Sequence, residues 1–302
     1  MSTAKALINI FADTQRVGKL YGGSYKDSIS YSPDELPEWG ERELPEDGPG
    51  GPDKLEVLPK DILTAVLDIL EEEPEAKVLV LNCASEKMPG GRVRAGAGGL
   101  EESVFRRTDY VLRTNERLYP ISPDHFIVTE GVRIVKTETH ERIADPPAVD
   151  FIAMPALRRP IVRYGKYNDE DHQSMVNRID LILRYGALEG YTHLVLGALG
   201  CGSFKNPANL VAKLFRKAVL AHGHFYRHIV FAIADGEKGN NHTTFKTILL
   251  SDESDESDES DESDENDEND ESKDGSEDDG DGSEGNEESK VQESTKMISP
   301  NQ

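Results

Sequence analysis

The chain is 302 residues long with a formal net charge of -24, and that charge is unevenly placed. Residues 251–302 carry 23 Asp/Glu against 3 Lys, leaving 35 acidic and 31 basic residues in the first 250, so the low pI belongs to the tail. Two cysteines, Cys83 and Cys201, without a second thiol or a histidine at ligand spacing exclude a disulfide framework and a zinc site, and no apolar run approaches membrane-spanning length.

The apolar run at the N-terminus is too short for a signal peptide, so a soluble intracellular protein, cytoplasmic or nuclear, is expected. Apolar positions at helical spacing predict a helix over residues 4–17. From 22 to 54, glycine, proline and acidic residues interrupt every possible element, as in Asp47-Gly48-Pro49-Gly50-Gly51-Pro52. That stretch reads as an irregular surface excursion, either a plain insertion or a substrate lid. Residues 55–58 suit a short strand. Asp61 is placed to cap a helix with Ile62, Leu63, Val66, Leu67 and Leu70 on its apolar face, ended by Pro74.

Residues 77–81 open on Lys77 and are otherwise continuously apolar, the mark of a strand buried on both faces. The loop that leaves it carries Pro89-Gly90-Gly91-Arg92 and Gly96, Gly98 and Gly99, then ends on Glu101-Glu102. Glycines let a backbone approach a ligand closely, and carboxylates at the exit supply acid/base chemistry. Residues 101–115 predict a helix with Val104, Phe105, Thr108 and Val111 inward and Arg106, Arg107 and Arg113 outward. Extended segments are expected at 126–128, 132–135 and 151–154. An amphipathic helix follows over 172–185, with Gly186 at its C-terminal end.

A strand at 193–196 runs into a second glycine loop, Gly197-Ala198-Leu199-Gly200-Cys201-Gly202-Ser203-Phe204. Asn206 is expected to cap the next helix with Pro207 at its first position, and 229–233 is the last core strand. Strands alternating with helices predict one α/β domain over 1–250 with a mixed, mostly covered sheet. Ligands in such sheets bind at the C-terminal ends of strands, so the two loops face one cleft if their strands are neighbours.

Neither loop ends in the Gly-Lys-Ser/Thr of a Walker motif, and a dinucleotide fingerprint fails where Glu101 replaces its third glycine. A Nudix box needs a glutamate cluster on the next helix to hold a divalent ion, and that helix carries Arg106 and Arg107 instead. The run Asn82-Cys83-Ala84-Ser85, then Pro89-Gly90-Gly91, then Glu101-Glu102, together with residues 196–204, resembles the microbial-type poly(ADP-ribose) glycohydrolases. Their signature is a Gly-Gly-Gly loop followed by Gln-Glu-Glu. The order of elements agrees from about Phe11 to about Phe245.

The resemblance implies a macrodomain-like three-layer α/β/α fold with a mixed central sheet. It also implies hydrolysis of ribose-ribose O-glycosidic bonds in poly(ADP-ribose), releasing ADP-ribose, with a glutamate acid/base and neither cofactor nor metal. Two positions depart from the signature, with Arg92 at the third glycine and Leu100 at the glutamine. The alternative is therefore a non-catalytic ADP-ribose-binding module.

By the same resemblance, Glu102 is the catalytic acid/base and Glu101 binds a ribose hydroxyl. Asn82 and Ser85 orient the ribose, although both residue types also serve in turns. Gly90 and Gly91, with Arg92 beside them and the backbone of Gly200, Cys201, Gly202 and Ser203, offer an anion nest to the diphosphate. Phe204 packs on the ribose or in the core. Cys201 suits a tight loop better than a nucleophile's place, and His222, His224 and His228 have no partners at metal-ligand spacing. The expected partners are ADP-ribose, its polymer and ADP-ribosylated proteins, with no membrane partner, and a monomer is expected. The Ser-Asp-Glu repeats of 251–302 offer no apolar face and predict a disordered tail. Its charge suits a shield over a basic cleft carrying Arg92, Arg94, Arg106, Arg107 and Arg113, a binding site for basic proteins, or a plain solvated tail.

Overall fold

The computed structural model describes residues 3–22, 28–38, 51–235 and 239–251. The tail from 252 onward, and the excursion at 23–27 and 39–50, lie outside the described residues, and with them the expectations of disorder and of a shield.

Seven strands form the central sheet: β1 (Ile29–Tyr31), β2 (Lys54–Leu58), β3 (Val78–Cys83), β4 (Phe126–Arg133), β5 (Ala148–Met154), β8 (His193–Leu196) and β9 (His228–Ala232), in the order β1-β4-β5-β3-β8-β9-β2. The run from β5 to β2 is parallel, while β4 and β1 join antiparallel at one edge. A separate hairpin pairs β6 (Val162–Arg163) with β7 (Lys166–Tyr167). The helices are α1 (Ala4–Leu20), α2 (Ile62–Glu72), α3 (Leu100–Arg107), α4 (Asp169–Leu188), α5 (Ala208–His222) and α6 (Asn241–Leu249).

Strand side chains alternate between two cores, which makes the fold three-layered. Val78 and Val80 of β3 pack with Phe11, Val66, Val104 and Phe105 from α1 to α3. Leu79 and Leu81 pack with Met175, Ile179, Val211, Phe215 and Phe245 from α4 to α6. Each such buried aliphatic side chain contributes roughly 1.5–3 kcal/mol over its exposed state. The expected mixed sheet between helical layers is thus observed. Among the described residues, no helix is long and apolar enough to cross a membrane.

Several expectations need correction. The excursion is not irregular throughout: Ile29, Ser30 and Tyr31 pair with Val128, Ile127 and Phe126, adding an edge strand whose partner lies about a hundred residues away. The two segments expected at 126–135 are one strand with an irregularity between Thr129 and Val132. Gly186 sits inside α4, where a Cβ would strike Tyr226, and the helix continues to Leu188 before Gly190 turns at φ 70°.

The helix after the first glycine loop stops at Arg107. Thr108 is extended, bridges to Ile134 and gives its hydroxyl to the Val104 carbonyl at 2.8 Å, closing the helix where its apolar pattern would have continued. The register then buries Arg106, Arg107 and Arg113, which were expected to point outward. Arg107 pairs with Asp61, the residue that caps α2 by accepting from Leu63 and Thr64 N–H. Arg113 grips Asp109 with two hydrogen bonds at 2.9 and 3.0 Å. These arginines hold the layer under the cleft together and leave the field of its mouth to other residues.

Candidate active site

β3 and β8 are hydrogen-bonded neighbours, so the loops leaving their C-terminal ends open on one side of the sheet. Between them lies a cleft of about 390 Å³, in the range of small-molecule sites. One wall is the first loop and the start of α3. The other is the second loop, with Ala156, Arg158 and Arg159 beyond the end of β5.

The first loop is folded around its carboxylates. Glu101 is 5% exposed. One of its oxygens accepts from Ser85 N–H at 2.8 Å, the other from Gly90 N–H at 3.1 Å and Asn82 Nδ2 at 3.4 Å. Burial pushes its carboxyl up to about 8, with the Glu102 charge adding to the effect and the three donors opposing it. Glu102 is half-buried, lines the cleft and accepts from Arg92 N–H at 3.0 Å. Gly91 has φ 53°, and a Cβ there would come within 2.8 Å of a Glu102 oxygen and 2.9 Å of a Glu101 oxygen. A side chain at that position would dislodge both.

The structure settles what the signature's two departures do locally. Arg92 has φ -102° and ψ 28°, a backbone open to any residue, so its side chain costs no strain and stands exposed at the rim. Leu100 opens α3 at the seam of the two loops, its Cδ1 3.1 Å from where a Gly197 Cβ would be.

Of the residues singled out in the sequence, Glu101, Glu102, Ser85, Gly91, Arg92, Gly200, Gly202, Ser203 and Phe204 line the cleft. Asn82 is fully buried beneath it, and Gly90 and Cys201 are not part of its lining. The expected anion nest shrinks accordingly. Gly90 gives its N–H to Glu101, Gly91 to the Met88 carbonyl at 3.3 Å and Cys201 to the Ala198 carbonyl at 3.1 Å. The amides of Gly202 and Ser203 have no acceptor among the described residues. Burial raises both thiols, Cys83 to about 12, which keeps them protonated and makes neither a nucleophile. Ser85 Oγ accepts from Lys87 N–H at 3.3 Å, which is turn chemistry, while its backbone serves Glu101.

Asn206 does not cap α5, whose flanking residue is Pro207. It is buried and cross-links the second loop instead. Its Nδ2 reaches the Leu157 carbonyl at 2.7 Å and the Gly200 carbonyl at 3.2 Å, while its Oδ1 accepts from Tyr167 Oη at 3.0 Å. Sequence reasoning also missed Arg158 and Arg159. Arg158 grips Glu86 with two hydrogen bonds at 2.9 and 3.0 Å and lies over the Phe204 ring at 4.1 Å. The signal was present as an arginine pair four residues past a buried strand, at the end where ligands bind.

Residues 11–129 match the family model described as "Microbial-type PARG, catalytic domain". Among solved structures, the chain is similar to poly(ADP-ribose) glycohydrolase from Thermomonospora curvata, at 24% identity over 81% of this chain and 99% of that one, with a TM-score of 0.68. It is similar to a second structure of that protein, bound to the inhibitor ADP-HPD, at 25% identity over 80% and 98%, TM-score 0.66. It is also similar to poly(ADP-ribose) glycohydrolase from Deinococcus radiodurans in complex with ADP-ribose, at 25% identity over 79% and 96%, TM-score 0.61. No curated protein matches the chain. The family resemblance and the fold read from the two glycine loops are both borne out.

Proposed function

We propose that this chain is a glycoside hydrolase that cleaves ribose-ribose O-glycosidic bonds of poly(ADP-ribose) and releases ADP-ribose. The observation that carries the reading is the placement of Glu102 on one wall of a cleft whose opposite wall offers the Gly202 and Ser203 amides. Those amides suit a diphosphate, and the carboxylate suits the sugar bond beside it. The similarity to structures holding ADP-ribose and ADP-HPD supports the same ligand class.

Cleavage of a ribose glycosidic bond passes through an oxocarbenium-like state and needs a proton on the leaving oxygen. Glu102 enters the step in its protonated form and gives that proton to the leaving ribose oxygen as the glycosidic C–O bond breaks. As the resulting carboxylate it takes a proton from the water that bonds to the ribose carbon, which restores its acid form. The Arg92 N–H, 3.0 Å from its oxygen, holds the carboxylate toward the cleft. Glu101 takes the supporting part: it fixes the Ser85 and Gly90 backbone, and its cleft-facing edge meets a ribose hydroxyl. Phe204, backed by Arg158, presents a flat face to the ribose or base. Free ADP-ribose, the polymer and ADP-ribosylated proteins are the partners this reading implies.

A second reading, a binding module without turnover, draws on Leu100, which places no amide beside the glutamates. The test is incubation of the purified protein with radiolabelled polymer, with ADP-ribose affinity measured in parallel. Release of monomeric ADP-ribose is expected. Retained binding without release would establish the module instead, and loss of both would remove the ligand class.

A further inference from the structure

Beyond β5 the chain passes Arg158 and Arg159 on the cleft rim and rises into the β6–β7 hairpin. The hairpin's turn is Tyr164-Gly165, at φ 51° and 76°, and positive φ at both positions is the two-residue turn that matches strand twist. A tyrosine there is unusual, since asparagine, aspartate or glycine adopts that backbone more readily. Its ring is fully exposed, at 102% of the reference area, and Ile161 is exposed as well. Neither side chain stabilises the fold by burial.

The register sets Arg163 directly opposite Lys166. Like charges in that position destabilise a strand pair. Among the described residues no carboxylate pairs with Arg159, Arg163 or Lys166. Among the described residues, two cations without a carboxylate partner and an exposed aromatic thus stand on one short hairpin, with a third such cation, Arg159, at its base on the cleft rim, in a domain whose first 250 residues otherwise carry a slight acidic excess. The base of the hairpin is fixed to the cleft. Arg159 N–H donates to the Phe204 carbonyl at 2.7 Å, and Asn206 joins Leu157 and Tyr167 to the second glycine loop.

Cations beside an exposed aromatic bind a chain of phosphates and bases, the charges tracking phosphate and the ring stacking on a base. The geometry points to the hairpin as a second polymer subsite. There Arg159, Arg163 and Lys166 hold the diphosphate of the ADP-ribose unit next to the one in the cleft, and Tyr164 stacks on its adenine. This rests on the reading of the cleft as an ADP-ribose site. Arg163 lies four residues from Arg159, at most about 14 Å of extended chain. A neighbouring unit of the same polymer is therefore delivered to the hairpin at high effective concentration. A nucleic acid has no such tether, which favours the polymer.

The experiment compares the affinity of wild type, R163Q/K166Q and Y164A for ADP-ribose and for poly(ADP-ribose) oligomers of defined length, across a salt series. Wild type is expected to bind oligomers at least about tenfold more tightly than the monomer. R163Q/K166Q is expected to lose most of that gain and to lower the salt slope by about 1.4, at roughly 0.7 per phosphate contact on a single strand. Y164A is expected to lose about fivefold or more. ADP-ribose affinity should change by less than about twofold in both variants, and in turnover assays the polymer KM should rise with kcat unchanged.

An oligomer gain that survives both variants overturns the proposal. So does a single-stranded oligoadenylate that binds wild type as tightly as the oligomer and is lost in R163Q/K166Q, since the surface would then be one for RNA. Failure of wild type to bind ADP-ribose would instead overturn the cleft reading, and the subsite with it.

Discussion

Replacing Glu101 by glutamine should change how the stability of this protein depends on pH. Burial raises the Glu101 carboxyl from 4.5 to about 8 in the folded chain. The folded state therefore keeps a proton that the unfolded state releases above about pH 4.5. Stability falls with rising pH wherever the native state binds more protons. The contribution is whole below the unfolded value and is lost as pH rises through the folded one. The shift of about 3.5 units, at 1.36 kcal/mol each, sets a ceiling of about 5 kcal/mol on the loss, with a slope of about 1.4 kcal/mol per pH unit.

Glu101→Gln cannot ionise, so that slope vanishes. The glutamine carbonyl still accepts one N–H, while its amide faces Ser85 or Gly90 N–H at a cost that does not vary with pH. Urea unfolding of both proteins at half-unit steps from pH 5 to pH 8.5 reads the difference. The variant should start less stable and gain on the wild type by several kcal/mol across the window. Parallel curves would refute the view that Glu101 is held protonated at neutral pH.

Asp61→Ala leaves Arg107 buried without its carboxylate and uncaps α2, and should cost about 4 kcal/mol or more in denaturant unfolding. A loss below about 1 kcal/mol would show that the guanidinium is satisfied elsewhere. Gly91→Ala places a Cβ against both carboxylates at φ 53°, and is expected to lower turnover by about a hundredfold or more and to cost at least about 1–2 kcal/mol of stability, the backbone share alone. Arg92→Gly restores the signature's glycine where the backbone does not require one. It should lower stability by about 0.5–1 kcal/mol through added chain entropy, and should not raise turnover. A tenfold gain would mean that the arginine side chain obstructs the cleft.

The two buried strands and their glycine loops were legible because local chemistry and tertiary role coincide there. A run such as Val78 to Leu81 has nowhere to lie but the centre of a sheet, and the Gly-Gly pair before two glutamates has few other uses. What escaped was decided by contacts distant in sequence. Thr108 follows about two helical turns and would continue their apolar spacing, yet its partner Ile134 holds it out of the helix, and Arg106, Arg107 and Arg113 around it are buried. Ile29 to Tyr31 become a strand only because β4 offers an edge. Asn206 looked like a cap, since Asn before Pro at a helix start usually is one. Three carbonyl and hydroxyl groups from separate segments claimed its amide instead. The rim cations Arg158 and Arg159 were overlooked for a different reason: the strand they follow was marked by its apolar run, but nothing in the pair itself shows that the chain turns them onto the cleft rim.

The account turns on Glu102. Its most direct test is the rate of ADP-ribose release from poly(ADP-ribose) by wild type and by Glu102→Ala at equal occupancy, with ADP-ribose affinity measured on both. The account predicts that the variant still binds ADP-ribose and loses release by about a hundredfold or more, the contribution of a positioned acid/base. Release that survives the substitution would contradict it.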